Sequence, residues 1–560
     1  MIERVVVRRG VYHDPVAVMV ASTAARSIDG VDHVAAGMVD PLNLLVIRVR
    51  HGYDLAAHGE LSPSDLIIAV RAETEETADR AIDTLERSLA ENRGDRQVVD
   101  VGPYVFAGER RGRNIERVSW RPATRPEPVA ALARLEPLAE RIAEANDVVV
   151  QRMQEARPLV VGVGTAGELL PGMTPHTFLH AGPPIDWADM SGPLRGAIIG
   201  AALFEGLASN AEEAVQKAKS GQFEFAPGHE RGALGPMAGV ITSSMPMWIV
   251  ENDAHHNRVH TTFSEGQDEI VRFGGYQPVV IERLHWMRSV LLPVLAAVVA
   301  RLPVPLDLRA LSASAVEMGD EVHNRNRAAV AMLMRTLAPV LVELDEPKSV
   351  VAEVARFIAG NDYFHLNLSM ASAKATADAA SGVEYSTIVT TMARNGTEFG
   401  LRTSGTGDRW FTAPSSRING LYVPGYTTAD ANPDMGDSTI TETIGLGGFA
   451  MAGAPAITNW AGITAEDAVR ATLAMYDITW AESVNYRIPT LGYRGAPLGI
   501  DCRKVVETGI VPAVNTGIAH KQPGVGVIGT GVVRLPMAPF IAAVEALVER
   551  LPHGYCSAVR

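Results

Sequence analysis

Cysteine is nearly absent: Cys502 and Cys556 are the two in 560 residues. No disulfide framework, C-x-x-C pair or cysteine-rich zinc site is available to this chain. Positive charge is also in deficit, with 50 Lys and Arg against 64 Asp and Glu and a net charge of −14. General nucleic-acid binding needs surplus basic side chains and is disfavoured. A local basic pocket for a small anion is not. Long apolar runs are missing as well. The most apolar one, in SVLLPVLAAVVARL, is bounded by Arg288 and Arg301 and interrupted by Pro293, and reads as too short to cross a bilayer. The opening MIERVVVRRGVYHDP has no apolar secretory segment, so the expected location is cytoplasmic and off the membrane. No G-x-S-x-G elbow and no Walker lysine occur, leaving a covalent serine or cysteine mechanism without support.

What is present is core material: 47% of residues are hydrophobic and 20% charged, enough for two to four folding units. The first hundred residues read as an α/β unit. RVVVRRG, DHVAAGM and DLIIAVRA are strand candidates, DPVAVMVASTAARSI is a helix with Asp14 as N-cap, and TEETADRAIDTLERSLAE is a second, threonine-capped helix. Two helices interleaved with strands predict a split-βαβ sandwich, residues 1–108, suited to docking or regulation. The basic, proline-containing stretch over 109–127 reads as a linker. The remainder, 128–560, reads as one α/β (mixed α+β) body with a helical middle over 284–385, flanked by 128–283 and 386–560 as a second subdomain.

The most unusual stretch is EMGDEVHNRNRAA, residues 317–329, between two apolar segments. A helix through it would align Asp320, His323, Asn324 and Arg327 on one stripe, with Glu317, Glu321 and Arg325 beside them. A polar belt on a buried helix needs partners, and active sites supply them; a solvated face with internal ion pairs is the alternative. No H-E-x-x-H spacing points to a metal there. VVGVGTAGELLPGM spaces Gly162, Gly164 and Gly167 as G-x-G-x-x-G, but Pro171 and Gly172 forbid the long helix of a dinucleotide fingerprint. A backbone cradle for a small anion and an ordinary turn both remain. His180 and His229 stand in Gly- and Pro-dense segments, and HHNRVH at 255–260 is a weaker metal candidate. Arg394, Asn395 and Asp408 surround expected hairpin turns. Asp430, Asp434, Asp437 and Glu442 suit either oxygen ligation of a divalent ion or Asx-turns and a helix cap. His520 and Lys521 precede another Gly-rich turn and suit an anionic group.

The ordered blocks LLPGM, HAGPPIDW, GPMAGV, MGDEVHNRN, RNGTEFG, GDRWF, PDMGDS, TGIAHK and IGTG resemble the YlbE/YahG (AllG) family over residues 155–540. The opening, with GVYHDPVAVMVAST and DLIIAVRAE, resembles the start of FdrA (AllF) proteins, which are separate chains in those relatives and continue into segments resembling succinyl-CoA ligase. Here a linker leads into the YlbE-like body instead. The resemblance implies purine-nitrogen catabolism downstream of allantoin, by an oxamate carbamoyltransferase that converts oxalurate and phosphate to oxamate and carbamoyl phosphate. It implies small anionic substrates (carbamoyl phosphate, phosphate, an oxamate-like acid), FdrA-like and other family subunits as partners, and a homo-oligomer.

Such a transfer needs no enzyme nucleophile. It needs grips on phosphate and carboxylate, donors facing the carbonyl oxygen, and a proton acceptor. On chemical grounds His323 is the preferred acid–base residue, oriented by Asp320 or by a partner elsewhere in the chain, with Asn324 on the carbamoyl group and His520 as a second proton-transfer group. Arg325, Arg394 and Lys521 are candidates for the anionic groups, with Asn395, Asp408, Gly164 and Gly167 as further substrate contacts. No particular cofactor is signalled, and a bound divalent metal ion stays open. A metal-dependent amide or carbamoyl hydrolase and a non-catalytic scaffold subunit are the competing readings.

Overall fold

The computed structural model describes residues 1–549 except 12, 14, 40–43, 45–46, 49–51, 60, 63–64, 92–96, 101–104, 109–120, 123–128, 267–268 and 424. The expected cap at Asp14 and nearly all of the linker over 109–127 lie outside the described residues. The chain divides into two compact units, one of residues 1–100 and 105–111, the other of the remainder.

In the first unit, Leu66–Ala72 is the central strand of an antiparallel sheet, flanked by Ile2–Arg8 and Val31–Met38. The apolar run LIIAVRA is continuous rather than alternating because both of its faces are covered. Leu66, Ile68 and Val70 pack against Val18, Ala21 and Ala25 of helix Pro15–Arg26 and Ala78, Ile82, Leu85 and Leu89 of helix Glu75–Glu91. Ile67 and Ala69 meet Tyr53 and Leu55 on the other face. Thr74 Oγ1 accepts the Thr77 N–H at 3.1 Å, which caps the second helix as its sequence predicts.

The second unit is a mixed α/β body. A five-stranded sheet runs Leu306–Asp307, Pro158–Thr165, Pro246–Asn252, Arg258–Thr262, Ala233–Leu234. A four-stranded sheet runs Phe411–Pro414, Glu398–Thr403, Val389–Asn395, Met435–Gly436, and a three-stranded one Asn419–Tyr422, Val527–Arg534, Ala513–Ala519. Helix Leu366–Ala379, buried from Leu366 to Ala377, packs against strands of the five- and four-stranded sheets. Its sequence, LNLSMASAKATADA, is dominated by small residues, so backbone can approach it from several sides. Its Ser369 hydroxyl is thereby brought against segment 317–329, and its Asn367 amide against Thr262.

Helical segments Pro278–Trp286, Met287–Leu291 and Leu292–Arg301 join into one helix of 24 residues. By length and composition it is long enough to cross a membrane, so the short apolar run read from sequence understates it. Val280, Leu284, Met287, Leu291, Val294, Leu295 and Val298 form a buried stripe, while Glu282 and Arg288 are exposed, the pattern of a one-sided core helix.

Candidate active site

Segment 317–329 is not the helix its flanks suggest. Helix Leu308–Glu317 stops, and the next begins at Arg327. Gly319 takes φ +95°, the left-handed conformation that ends helices, and Val322 takes φ +63°, a strained value for a β-branched residue. Asp320, His323, Asn324 and Arg327 therefore share no helical stripe.

The carboxylates instead shape the turn from inside. Asp320 accepts the Ala329 N–H at 3.0 Å at the start of the second helix. Glu321 is buried; its Oε1 accepts the N–H groups of Asn324 (2.6 Å) and Arg325 (2.5 Å), and its Oε2 that of His323 (2.9 Å). Ser369 Oγ donates to the Val322 carbonyl at 2.7 Å, tying the strained residue to the buried helix.

Burial raises the Glu321 carboxyl from 4.5 to about 7, opposed by the His323 charge and the Arg325 and Asn324 N–H groups. Unfolding returns it to its ordinary value. The folded state is therefore favoured fully below pH 4.5 and loses that advantage as pH rises through about 7. The difference corresponds to on the order of 3 kcal/mol. The melting-temperature advantage of wild type over Glu321→Gln is expected to shrink between pH 5 and pH 8; an advantage that grows with pH would contradict this.

His323 Nδ1 lies 2.9 Å from Glu442 Oε1. That oxygen also accepts the Gly448 N–H at 2.9 Å, and Oε2 accepts the Thr441 hydroxyl at 3.0 Å. Glu442, not Asp320, orients the imidazole. Asp320 is instead directed at the next helix, where it accepts the Ala329 N–H. Glu442 belongs to the 3₁₀ helix Asp437–Ile444, buried along its whole length.

Asn324 Nδ2 donates to the Asn515 carbonyl on strand Ala513–Ala519. Asn515 is fully buried, and neither its Nδ2 nor its Oδ1 has a hydrogen-bond partner among the described residues. Its neighbour Thr516 accepts from Arg394 Nη2 at 3.3 Å and donates to Asp434 Oδ1 at 3.2 Å. Arg394, fully buried, pairs through Nε with Asp434 at 2.8 Å and donates to the Met435 carbonyl at 3.1 Å; its Nη1 is unpartnered among the described residues. His323, Asn324 and Arg394 thus converge on one strand and one buried 3₁₀ helix.

A second cluster sits at the start of that helix. Asp437 Oδ1 accepts the Gly182 N–H at 2.9 Å and stands 3.4 Å from His229 Nε2, while Oδ2 accepts the Gly235 N–H at 3.2 Å. Gly182 approaches so closely that a Cβ there would lie 2.4 Å from the Asn395 nitrogen. His180 holds the Ala181 carbonyl through Nδ1 at 2.8 Å, and burial lowers its pKa.

Other expected contacts are placed elsewhere. The Ala166 and Gly167 N–H groups donate to the Met245 and Ser243 carbonyls, and Gly164 packs against Leu169, so those two amides are occupied by backbone. Asn395 closes a turn, accepting from Thr397 and Glu398 and donating to the Pro183 carbonyl. Arg325 Nε donates to the Gly319 carbonyl at 3.2 Å and lies 3.4 Å from Asp320. Asp408 is exposed beside Arg402, Lys521 donates to the Ala429 carbonyl, and His520 accepts from the Gln522 N–H. Among the described residues none of Asp408, His520 and Lys521 is hydrogen-bonded to His323, Asn324 or Arg394, and no group of three His, Cys, Asp or Glu is arranged to hold a metal. Asn515 went unsignalled except as a polar pair, NT, inside an apolar strand.

Residues 223–438 match the family described as "Oxamate carbamoyltransferase subunit AllG", and residues 1–100 match "AllF, heavy metal-associated domain". Those first hundred residues hold no cysteine, so they do not fit the thiolate sites that soft heavy metals take. The chain is 46% identical over 415 residues to oxamate carbamoyltransferase subunit AllG of Escherichia coli (strain K12), covering 74% of this chain and 99% of that relative. It is 44% identical over 459 residues to the uncharacterized protein YahG of the same organism, covering 81% of this chain and 97% of the relative. A crystal structure of a conserved protein of unknown function from Enterococcus faecalis V583 superposes with a TM-score of 0.73 at 45% identity, covering 74% of this chain and 99% of that one. With close to half its aligned residues identical across 99% of a curated relative, the chain belongs to the AllG family and carries an AllF-type segment at its N-terminus.

Proposed function

We propose that this chain catalyses carbamoyl transfer between a small amide acid and phosphate, with oxamate and carbamoyl phosphate on one side and oxalurate and phosphate on the other. The observation that carries the reading is the His323–Glu442 pair, 2.9 Å apart and buried, within a chain whose relative is named for that activity. In the synthetic direction the amide nitrogen forms a bond to the carbamoyl carbon, and the carbon–oxygen bond to phosphate breaks with its electron pair leaving on phosphate. The nitrogen's proton goes to the His323 imidazole, whose positive charge Glu442 offsets. The amide of Asn515 and the free N–H of Arg394 offer donors for oxygen where charge develops. The four carboxylates suited to ion ligation have other partners: Asp430 has the Thr427 N–H and hydroxyl, Asp434 has Arg394, Asp437 has two backbone amides and His229, and Glu442 has His323. The AllF-type segment supports docking to partner subunits of the same system.

The test supplies oxamate and carbamoyl phosphate to the full chain, alone and with AllF-type partner subunits, and follows oxalurate by mass spectrometry beside phosphate release. Oxalurate and phosphate formed in equal amounts are expected. Phosphate release without oxalurate would make the protein a hydrolase, and neither product with any partner would sink the reading.

A further inference from the structure

We propose that Gly447 is a positioning residue for the transfer: its bare α-carbon seats one turn against the His323–Glu442 pair and keeps that pair closed. The inference rests on the carbamoyl-transfer reading and deepens it at the same site. The turn follows the 3₁₀ helix Asp437–Ile444, and Gly447 takes φ +59°, in the left-handed region. Its N–H donates to the Glu321 carbonyl at 2.8 Å, two residues before His323. The next N–H, that of Gly448, donates to Glu442 Oε1 at 2.9 Å, the same oxygen that faces His323 Nδ1. Two consecutive amides thus hold the backbone that leads into the imidazole and the carboxylate that orients it.

Space decides the residue. A Cβ on Gly447 would overlap Glu442 Oε1 and lie 2.8 Å from Glu442 Cδ and 3.0 Å from His323 Nδ1. Those three nearest atoms all belong to the two side chains of the pair, so a methyl group there acts on the pair before it acts on the fold. Glu442 is fully buried and its carboxylate is held by the Thr441 hydroxyl and the Gly448 N–H, so displacing it breaks those bonds together with the one to His323. On the other side of the turn, a Cβ on Gly448 would overlap the carbonyl oxygen of Ala513, on the strand that carries Asn515. The turn therefore touches both the proton acceptor and the strand of the Asn515 amide. With Nδ1 committed to Glu442, the imidazole takes the substrate nitrogen's proton at Nε2. Moving the carboxylate frees the ring to turn and removes the counter-charge of its protonated form.

Gly447→Ala is expected to lower kcat for oxalurate formation about 10²-fold, the scale of a reacting group misplaced by about 1 Å, with KM for oxamate and carbamoyl phosphate within about twofold of wild type. In the His323→Ala background the same substitution should change turnover by less than about twofold, because the pair it acts on is already gone. A residue that merely stabilises the turn would lower turnover in both backgrounds. Melting is the second readout and needs no turnover. The loss of melting temperature caused by Gly447→Ala should shrink in the Glu442→Ala background, where the methyl enters the space that the carboxylate vacates. If Gly447→Ala alone does not fold, Glu442→Ala/Gly447→Ala is expected to fold. Wild-type kcat in a folded Gly447→Ala enzyme, an equal loss of turnover in the His323→Ala background, an equal melting loss with and without Glu442, or failure of both the single and the double variant to fold would overturn the proposal. A wild type that makes no oxalurate fails the transfer reading instead, and the melting comparison still tests the contact.

Discussion

Replacing His323 with alanine is expected to lower the rate of carbamoyl transfer by about 10²–10⁴-fold, the range that a positioned general acid–base group contributes. The variant should stay folded, because the turn around it does not depend on the imidazole. Glu321 clamps the backbone N–H of residue 323, not its side chain, and Asp320 and Ser369 hold the ends of the segment. What is lost is the ring and its bond to Glu442. Glu442→Gln keeps a neutral acceptor for the imidazole and for the Gly448 N–H but removes the charge that would stabilise a protonated ring. It should fall between wild type and His323→Ala, with KM for both substrates little changed. Turnover numbers on variants with wild-type melting profiles decide the matter. A folded His323→Ala enzyme within threefold of wild type would remove His323 from the chemistry.

The N-terminal unit was legible from sequence because its signals are local. A central strand with an unbroken apolar run, helices of 3.6 periodicity and a threonine cap specify the same small sandwich without help from elsewhere. The segment 317–329 misled for the opposite reason. Its apolar flanks suggest a continuous helix, while the interrupting signals, Gly319 after the first helix and Asn326 before the second, are single residues. Once broken, the segment gains its shape from a carboxylate bonding three backbone amides, an arrangement with no periodicity to detect. That most polar residues of MGDEVHNRN (Asp320, Glu321, His323 and Asn326) are buried was readable; what they face was not. Glu442 lies 119 residues beyond His323, and Asn515 lies 191 beyond Asn324. Such pairings follow from which sheet edge and which 3₁₀ helix meet, and local pattern carries no trace of them. Arg394 illustrates the cost of reading charge without partners: an arginine suited to an anionic substrate is already paired inside the protein.

That pairing yields the largest expected effect on stability. Arg394 and Asp434 are 0% and 1% exposed and 2.8 Å apart. Arg394→Met leaves the Asp434 carboxylate buried with only the Thr516 hydroxyl as a side-chain partner, a loss of about 3–5 kcal/mol for a broken buried pair. Arg394→Met combined with Asp434→Leu removes both charges and should regain most of that loss, since the desolvation cost disappears with the attraction. Denaturant unfolding of the three proteins measures this. A double variant as unstable as the single one would mean that the Met435 and Thr516 bonds, rather than the ion pair, hold this region together. Activity then separates structure from chemistry. If the double variant recovers stability but not turnover, the remaining Arg394 N–H serves the substrate; if it recovers both, the pair only braces the strand that carries Asn515.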